Sequence, residues 1–160
     1  MPALSNSQKA QILKVMGEYI PHTRLLGICV EHIDGEELTM RLPYQQELVG
    51  DPDTGTLHSG ALTVLLDQTL GMSAICSDRL KPSVTPTLDL RIDHLGVAPA
   101  KMDVLATARV YKVTRKIIFV EGIAYCESRD QPIARATGSW VRLGEVDLTP
   151  FLGLKEKSQA

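Results

Sequence analysis

Apolar residues recur at helical spacing in two separate parts of the chain. Between residues 5 and 19 they mark one face, Ser5 or Ser7 can cap the start, and Pro21 ends the segment. From His58 to about Ser77 they occupy more than one face, as expected of a helix that is buried almost all round. The pattern predicts a short amphipathic helix, followed later in the chain by a buried helix about 30 Å long.

The rest of the pattern alternates between apolar and polar positions and predicts strands. Two alternating runs flank Asp34-Gly35, a pair that is typical of tight hairpins. Consecutive strands with short connections favour an antiparallel sheet. We therefore expect an α+β fold, in which an antiparallel sheet of five to six strands wraps around the long helix. The later strands are expected from Thr87 onward and over 103–114, 117–128 and 132–142, with loops at 43–57 and 78–86.

Length and charge narrow the class of protein. The 160 residues suit one domain spanning 1–160, with a helix over about 5–19 and a tail after about 143. A net charge of -2 argues against a nucleic-acid partner, because neutralising phosphates requires a concentrated basic surface. No apolar run approaches membrane-spanning length, and the first residues lack the apolar core of a signal peptide. We expect a cytoplasmic protein without a membrane partner.

Cysteine and histidine spacing gives no indication of a metal site or an organic cofactor. The three cysteines form no CxxC pair, and the four histidines form no HExxH motif. Free cysteines among apolar neighbours usually pack as small hydrophobic residues. We therefore expect neither a metal nor an organic cofactor.

Candidate chemistry is concentrated where the long helix begins. The turn Gly55-Thr56-Leu57-His58-Ser59-Gly60-Ala61 brings small residues to a helix start, where unpaired N–H groups can polarise a carbonyl. Asp67, nine residues after His58, is a carboxylate within an apolar helix. Burial there is expected to raise its pKa and make it a better base. Gly60, Val64 and Leu70 lie close to these groups by helical spacing and are the expected substrate contacts.

At these residues the sequence resembles the hotdog-fold acyl-CoA thioesterases, in particular the phenylacetate-pathway (PaaI-like) subfamily. That subfamily has a His-Gly-Gly turn and an acidic residue nine positions after the His, matched here by His58-Ser59-Gly60 and Asp67. The stretches Thr87–Leu95 and Ile133–Gly138 look like two of its strands, so that the resemblance covers roughly residues 20 to 143.

The resemblance implies a hotdog fold and hydrolysis of an acyl-CoA, small or medium and aryl or aliphatic, with coenzyme A as part of the substrate. Asp67 would act as the base or nucleophile, and the Ser59 backbone N–H would polarise the thioester carbonyl. His58 would brace the turn, and Thr87 would help to hold the attacking water. The resemblance also implies a homodimer, often paired into a dimer-of-dimers tetramer. The long helix has apolar faces that one sheet cannot cover, which favours sites at the subunit interface.

Two positions depart from the subfamily. Ser59 replaces the first Gly of the turn, which keeps the N–H but adds a side chain. The subfamily often has an Asn six or seven residues before the His, where this chain has Pro52 and Asp51. Asp51 is the candidate for that role, although an ionised carboxylate cannot donate a hydrogen bond.

Other interpretations of the same residues remain. Asp67 could be a structural carboxylate at a subunit interface, and Thr87 an ordinary strand residue. Lys112, Arg115 and Lys116 could contact CoA phosphates or form a solvated charge cluster. The chain could be a non-enzymatic acyl-CoA-binding or sensing protein, and a hotdog dehydratase is a weaker third candidate, since one fold serves several functions.

Overall fold

The computed structural model describes residues 5–77 and 83–145. Three helices and eight strands follow one another along these segments. The helices are α1 (Asn6–Tyr19), α2 (Pro21–Leu25) and α3 (Ser59–Cys76). The strands are β1 (Cys29–Asp34), β2 (Glu37–Leu42), β3 (Val49–Asp51), β4 (Thr56–Leu57), β5 (Thr87–His94), β6 (Val104–Val113), β7 (Ile117–Tyr125) and β8 (Ala134–Val141).

Six of the strands form one antiparallel sheet in the order β1-β2-β6-β7-β8-β5. The consecutive strands β1–β2, β6–β7 and β7–β8 pair directly, and Gly35 has the positive φ of 58° that the turn between β1 and β2 requires. β1 and β5 are the two edge strands. The α+β class, the antiparallel six-stranded sheet and the single long helix are thus confirmed.

Helix α3 lies across the inner face of this sheet. Its residues Leu65, Leu66 and Leu70 are completely buried, together with the inward side chains of β2, β6, β7 and β8. Leu70 packs at Gly122 of β7, where an added Cβ would lie 2.8 Å from the Leu70 Cδ1 atom. The apolar pattern of α3 therefore reflects a helix that is held against a curved sheet.

Trp140 fills the space between α3 and β8. Its side chain is 1% exposed, and the Nε1 atom lies 3.1 Å from the position that a Cβ on Gly71 would take. On its own strand the ring passes over Gly138, whose Cβ would come within 2.8 Å of two ring atoms. Trp140 pairs across the sheet with Thr87. The indole thus packs between α3 and β8, on the strand that pairs with β5.

Several predicted boundaries need correction. The expected loop at 43–57 contains a 3₁₀ turn and the two-stranded β3–β4 sheet, because each of these strands has only two or three residues and no alternation to detect. Helix α2 was not predicted, and β7 and β8 are shorter than the runs 117–128 and 132–142. Residues 78–82 of the expected loop, and the tail beyond 145, lie outside the described residues.

Candidate active site

The start of α3 presents the Ser59 N–H as a free backbone donor. His58 is the N-cap, and its Nδ1 atom accepts the Gly60 N–H at 2.9 Å, while its carbonyl accepts the Ala61 N–H at 3.0 Å. No acceptor within residues 5–77 and 83–145 takes the Ser59 N–H. This geometry agrees with a bracing role for His58. It also commits the Gly60 N–H to the cap and leaves the Ser59 N–H for a ligand.

A neighbouring hairpin holds His58 in place. The His58 N–H donates to the Leu48 carbonyl at 2.8 Å, next to the β3–β4 pairing. At Gly50 an added Cβ would lie 2.7 Å from the His58 Cα atom, so that only glycine fits this approach. The position of the helix start therefore depends on the loop before it.

Asp67 and Thr87 meet where α3 faces the edge strand β5. The Thr87 hydroxyl donates to the Asp67 Oδ1 atom at 2.9 Å. Asp67 is half-buried and Thr87 is exposed. The burial expected for Asp67 is only partial in the single chain, because the carboxylate lies where α3 meets the edge strand. A carboxylate with one oxygen fixed by a hydroxyl is suited to hold and deprotonate a water.

The free N–H and the carboxylate lie apart along the same helix. Ser59 and Asp67 are eight residues apart, which corresponds to about 12 Å of helix rise. Reacting groups must approach one carbonyl to within roughly 3–3.5 Å. One chain therefore does not bring the two groups together on one substrate carbonyl.

A groove of about 410 Å³ opens beside the helix start. His58, Gly60 and Val64 line it, and Leu26 and Leu48 add apolar walls that the sequence did not indicate. That Gly60 and Val64 contact the substrate stays a prediction. Leu70 is different, because it is 0% exposed and packs on the sheet at Gly122. We correct its expected substrate contact and assign Leu70 to the core.

Asp51 acts within its own turn. Its carboxylate accepts the Asp53 N–H at 3.0 Å and the Thr54 hydroxyl at 2.7 Å. The Thr54 hydroxyl, followed by the Asp53 N–H, lowers the pKa of Asp51 below its usual value. Each carboxylate oxygen thus helps to close the turn, and the expected role of Asp51 in place of the subfamily's Asn stays a prediction.

Other features of the described residues lie away from this site. A second groove, of about 590 Å³, lies between α1 and β1 and is lined by none of the site residues that the sequence predicted. In the part of the chain that the structure describes, no three His, Cys, Asp or Glu side chains are placed to hold a metal ion. No helix there is long and apolar enough to cross a membrane. The expectation that no cofactor is needed stays a prediction.

Curated relatives share part of this chain. A Halobacterium salinarum protein named as an esterase is 35% identical over 91 residues, which is 55% of this chain and 58% of that protein. Human acyl-coenzyme A thioesterase 13 is 32% identical over 65 residues, 41% of this chain and 45% of that one. The chain thus spans about half the length of the curated relatives it matches.

Solved structures match almost over their whole length. A Pseudomonas aeruginosa protein of known crystal structure is 39% identical with a TM-score of 0.76, covering 84% of this chain and 99% of that one. Escherichia coli PaaI, at 17% identity and a TM-score of 0.76, covers 88% and 97% and shares the fold. The sequence profile of the thioesterase superfamily matches residues 54–133, half of the chain, which include the helix start, Asp67 and Thr87. The chain belongs to the thioesterase superfamily and has its hotdog fold.

Proposed function

We propose that this protein hydrolyses an acyl-CoA thioester to a free acid and CoA. The observation that carries the proposal is the hydrogen bond between Thr87 and Asp67, on the helix that begins with the free Ser59 N–H. The superfamily and the similarity to acyl-coenzyme A thioesterase 13 support this reaction. The groove beside Val64 suits a small or medium acyl group.

In the proposed reaction Asp67 acts as the general base. Its carboxylate removes a proton from a water, whose oxygen bonds to the thioester carbonyl carbon. The carbonyl oxygen gains negative charge and accepts the Ser59 N–H. The C–S bond then breaks, the carbonyl re-forms, and CoA leaves with the proton that Asp67 had taken. In the alternative, an Asp67 oxygen attacks the thioester carbon and CoA leaves as thiolate, which forms an anhydride between Asp67 and the acyl group. Attack of labelled water on the Asp67 side of this anhydride would place ¹⁸O in the Asp67 carboxylate.

We further propose that each site forms between two copies of the chain. The separation of about 12 Å along α3 requires the N–H of one copy and the carboxylate of the other. The edge strand β5 supports pairing with a second copy, because Leu88 and Leu95 on and beside it are each 55% exposed. The tetramer and the cytoplasmic location stay predictions.

The Asp67→Asn variant tests the reaction. It keeps the shape of the side chain and a partner for Thr87, but it removes the base. We expect kcat for thioester hydrolysis to fall roughly 10² to 10⁴-fold, while affinity for a non-hydrolysable acyl-CoA analogue changes less than about tenfold. Asp34→Asn is the matched control, since Asp34 is an exposed carboxylate at the end of β1, the opposite edge strand. An unchanged kcat in folded Asp67→Asn would refute the role. Binding without turnover in the wild type would favour the acyl-CoA-binding alternative.

A complementation experiment tests the two-copy site. Ser59→Pro removes the N–H and the hydroxyl at the first helical position, where proline is well tolerated. Ser59→Gly is the control that removes the hydroxyl but keeps the N–H. Ser59→Pro and Asp67→Asn should each be inactive alone. Because a mixed dimer has one intact site, mixing them with subunit exchange should restore about a quarter of the wild-type activity. No recovery after demonstrated exchange would contradict a shared site.

A further inference from the structure

The groove of about 590 Å³ between α1 and β1 runs along one edge of the sheet. We call it the α1–β1 groove and define it by its two walls. One wall is a face of α1 that includes Ala10, Leu13, Lys14 and Gly17, and the other is the continuous segment 28–33. The Asp67–Thr87 pair lies at the opposite edge strand, β5, so that this groove is separate from the candidate active site.

The strand wall of the α1–β1 groove is the backbone edge of β1 rather than one of its faces. Successive strand residues point to opposite faces, so a groove over one face would contact only every second residue. This groove contacts every residue from 28 to 33, and none of the residues of β1 is fully buried. Apart from the pairing with β2, no backbone group of β1 bonds another backbone group within residues 5–77 and 83–145. The groove is therefore lined by N–H and C=O groups that a further strand could pair with.

Contacts at both ends hold the two walls apart. Beyond the end of β1, the Lys9 Nζ atom of α1 donates to the Gly35 carbonyl at 3.1 Å. Before the start of β1, the Ile28 N–H donates to the carbonyl of Thr23 in α2 at 3.1 Å. The space between α1 and β1 is thus formed by the fold itself, before any ligand enters it.

The α1–β1 groove has the length of a short extended peptide. From Asn6 to Glu18 its helix wall rises about 18 Å, and its strand wall over residues 28–33 extends about 17 Å. Five or six residues of extended chain span the same distance. Gly17 widens the groove, although an added Cβ there would meet nothing nearer than the Thr23 Cγ2 atom at 4.0 Å. Packing within the chain therefore does not require this glycine, which weakens a helix interior.

We propose that the α1–β1 groove binds an extended segment of another protein, which pairs with β1 as an additional strand. Every second side chain of this segment enters the apolar space between Leu13, Val30 and Ile33. An aliphatic ligand would cover the N–H and C=O groups of β1 without pairing them, which is unfavourable. Edge strands are commonly shielded by lysine, proline or a bulge, and β1 has only a register shift at Glu31.

A second copy of this chain fits the α1–β1 groove less well than another protein. Pairing with a second copy is already proposed for β5, at the other edge of the sheet. Copies that paired through both edges of each sheet would favour an open chain over a closed oligomer. In a dimer formed at β5, the edge of β1 stays open to a different partner.

The charges of the α1–β1 groove indicate an acidic residue in the partner segment. Lys14 and Arg24 line the groove, and neither forms an ion pair with an acidic side chain within residues 5–77 and 83–145. Of the two glutamates that line it, Glu31 pairs with Arg41 at 3.0 Å, which leaves Glu18. The unpaired charges are thus two cations and one anion. We infer a segment with apolar residues at alternate positions and an aspartate or glutamate between them.

A phage-displayed library of seven-residue segments is the probe. Its alternate positions are Val, Ile, Leu or Phe, and the positions between them are Asp, Ser or Thr. Selection on the full chain should enrich segments that contain Asp, and fluorescence anisotropy of the synthetic peptides then measures Kd. If no segment is enriched, the proposal is wrong.

Two variants with matched controls locate the binding site of the selected peptides. Ala10→Trp fills the groove from α1 and should weaken binding at least about tenfold, while Gln11→Trp, exposed on α1 outside the groove, should change it less than about twofold. Lys14→Glu reverses one exposed charge of the groove and should weaken binding several-fold, while Lys112→Glu on β6 should not. Wild-type affinity in both groove variants would overturn the proposal. If Ala10→Trp does not fold, Lys14→Glu decides alone.

N-methylated peptides test whether binding uses the strand edge. An added strand directs only every second backbone N–H toward β1. Methylation of one alternate set of N–H groups in a selected peptide should therefore abolish binding, and methylation of the other set should change Kd less than about threefold. Equal effects of the two sets would overturn strand addition. Displacement of the peptide by dodecanoate would instead assign the groove to an aliphatic ligand. A smaller sedimenting mass for Ala10→Trp than for the wild type would assign the groove to a second copy. Either result would overturn the proposed partner.

Discussion

The Thr87 hydroxyl is the side-chain group in the described structure that fixes the orientation of the Asp67 carboxylate. Its oxygen lies 2.9 Å from the Asp67 Oδ1 atom, and the strand that holds it pairs with β8 at Trp140. Thr87→Val replaces the hydroxyl by a methyl group of similar size, while Thr87→Ser keeps it. The two variants therefore separate loss of the hydrogen bond from loss of side-chain shape.

The size of the effect follows from the charge and exposure of the pair. Hydrogen bonds to a charged group contribute roughly 1.5–3 kcal/mol, and the exposed position of Thr87 indicates the lower end of that range. Since about 1.4 kcal/mol corresponds to a tenfold change in rate, Thr87→Val should lower kcat about tenfold. The free energy of unfolding should change by less than about 0.5 kcal/mol, because the residue is on the surface.

Steady-state hydrolysis of one acyl-CoA, followed as thiol release, measures the effect of Thr87→Val on kcat. KM should change little, because the bond orients the base rather than binding the substrate. Thr87→Ser should retain most of kcat, and Thr137→Val, an exposed threonine of β8, should retain all of it. A kcat for Thr87→Val equal to that of Thr87→Ser would refute the claim that the hydroxyl orients Asp67.

Three further predictions concern stability and reactivity. Gly138→Ala should lower the free energy of unfolding by roughly 1–3 kcal/mol in urea titrations, because the new Cβ would come within 2.8 Å of the Trp140 ring. The hydrogen bond from the Tyr44 N–H lowers the pKa of Asp103. The ionised Asp103 carboxylate therefore stabilises the fold above its ordinary pKa, and this contribution is lost as pH falls through the folded-state pKa. Asp103→Asn should lower the free energy of unfolding by roughly 0.5–1 kcal/mol at pH 7 and flatten the decline in stability below pH 5. Burial raises the pKa of the Cys126 thiol, so its alkylation by iodoacetamide at pH 8 should be slower than that of free cysteine, as mass spectrometry would detect.

Periodicity was sufficient to predict the elements that are long or strongly patterned. The all-round apolar run after His58 became α3, and the Asp34-Gly35 turn joins β1 to β2. The pairing of β2 with β6 could not be predicted in the same way. Its partners Leu42 and Val104 are 62 positions apart, and local patterns carry no information on such contacts. The β3–β4 hairpin is too short to show a period.

The candidate site was predicted in its residue types more than in its geometry. Helical spacing grouped Leu70 with Asp67, yet three residues of rotation turn Leu70 onto the sheet and leave Asp67 at the edge strand. The spacing before His58 singled out Asp51, but it could not reveal that the Asp51 carboxylate accepts hydrogen bonds from Asp53 and Thr54 within its own turn. Partner choice among nearby polar groups depends on the folded loop.

Helix α3 accommodates both the core and the proposed site because the two use different parts of it. Its leucines face the sheet, where the loss of packing would change stability. The two groups proposed for the reaction lie where the sheet does not cover the helix. One is the Ser59 N–H, which stays free while the His58 side chain accepts the Gly60 N–H. The other is Asp67, which accepts the hydroxyl of Thr87 on the edge strand. Substitutions along one helix should therefore divide into those that unfold the protein and those that leave it folded without activity.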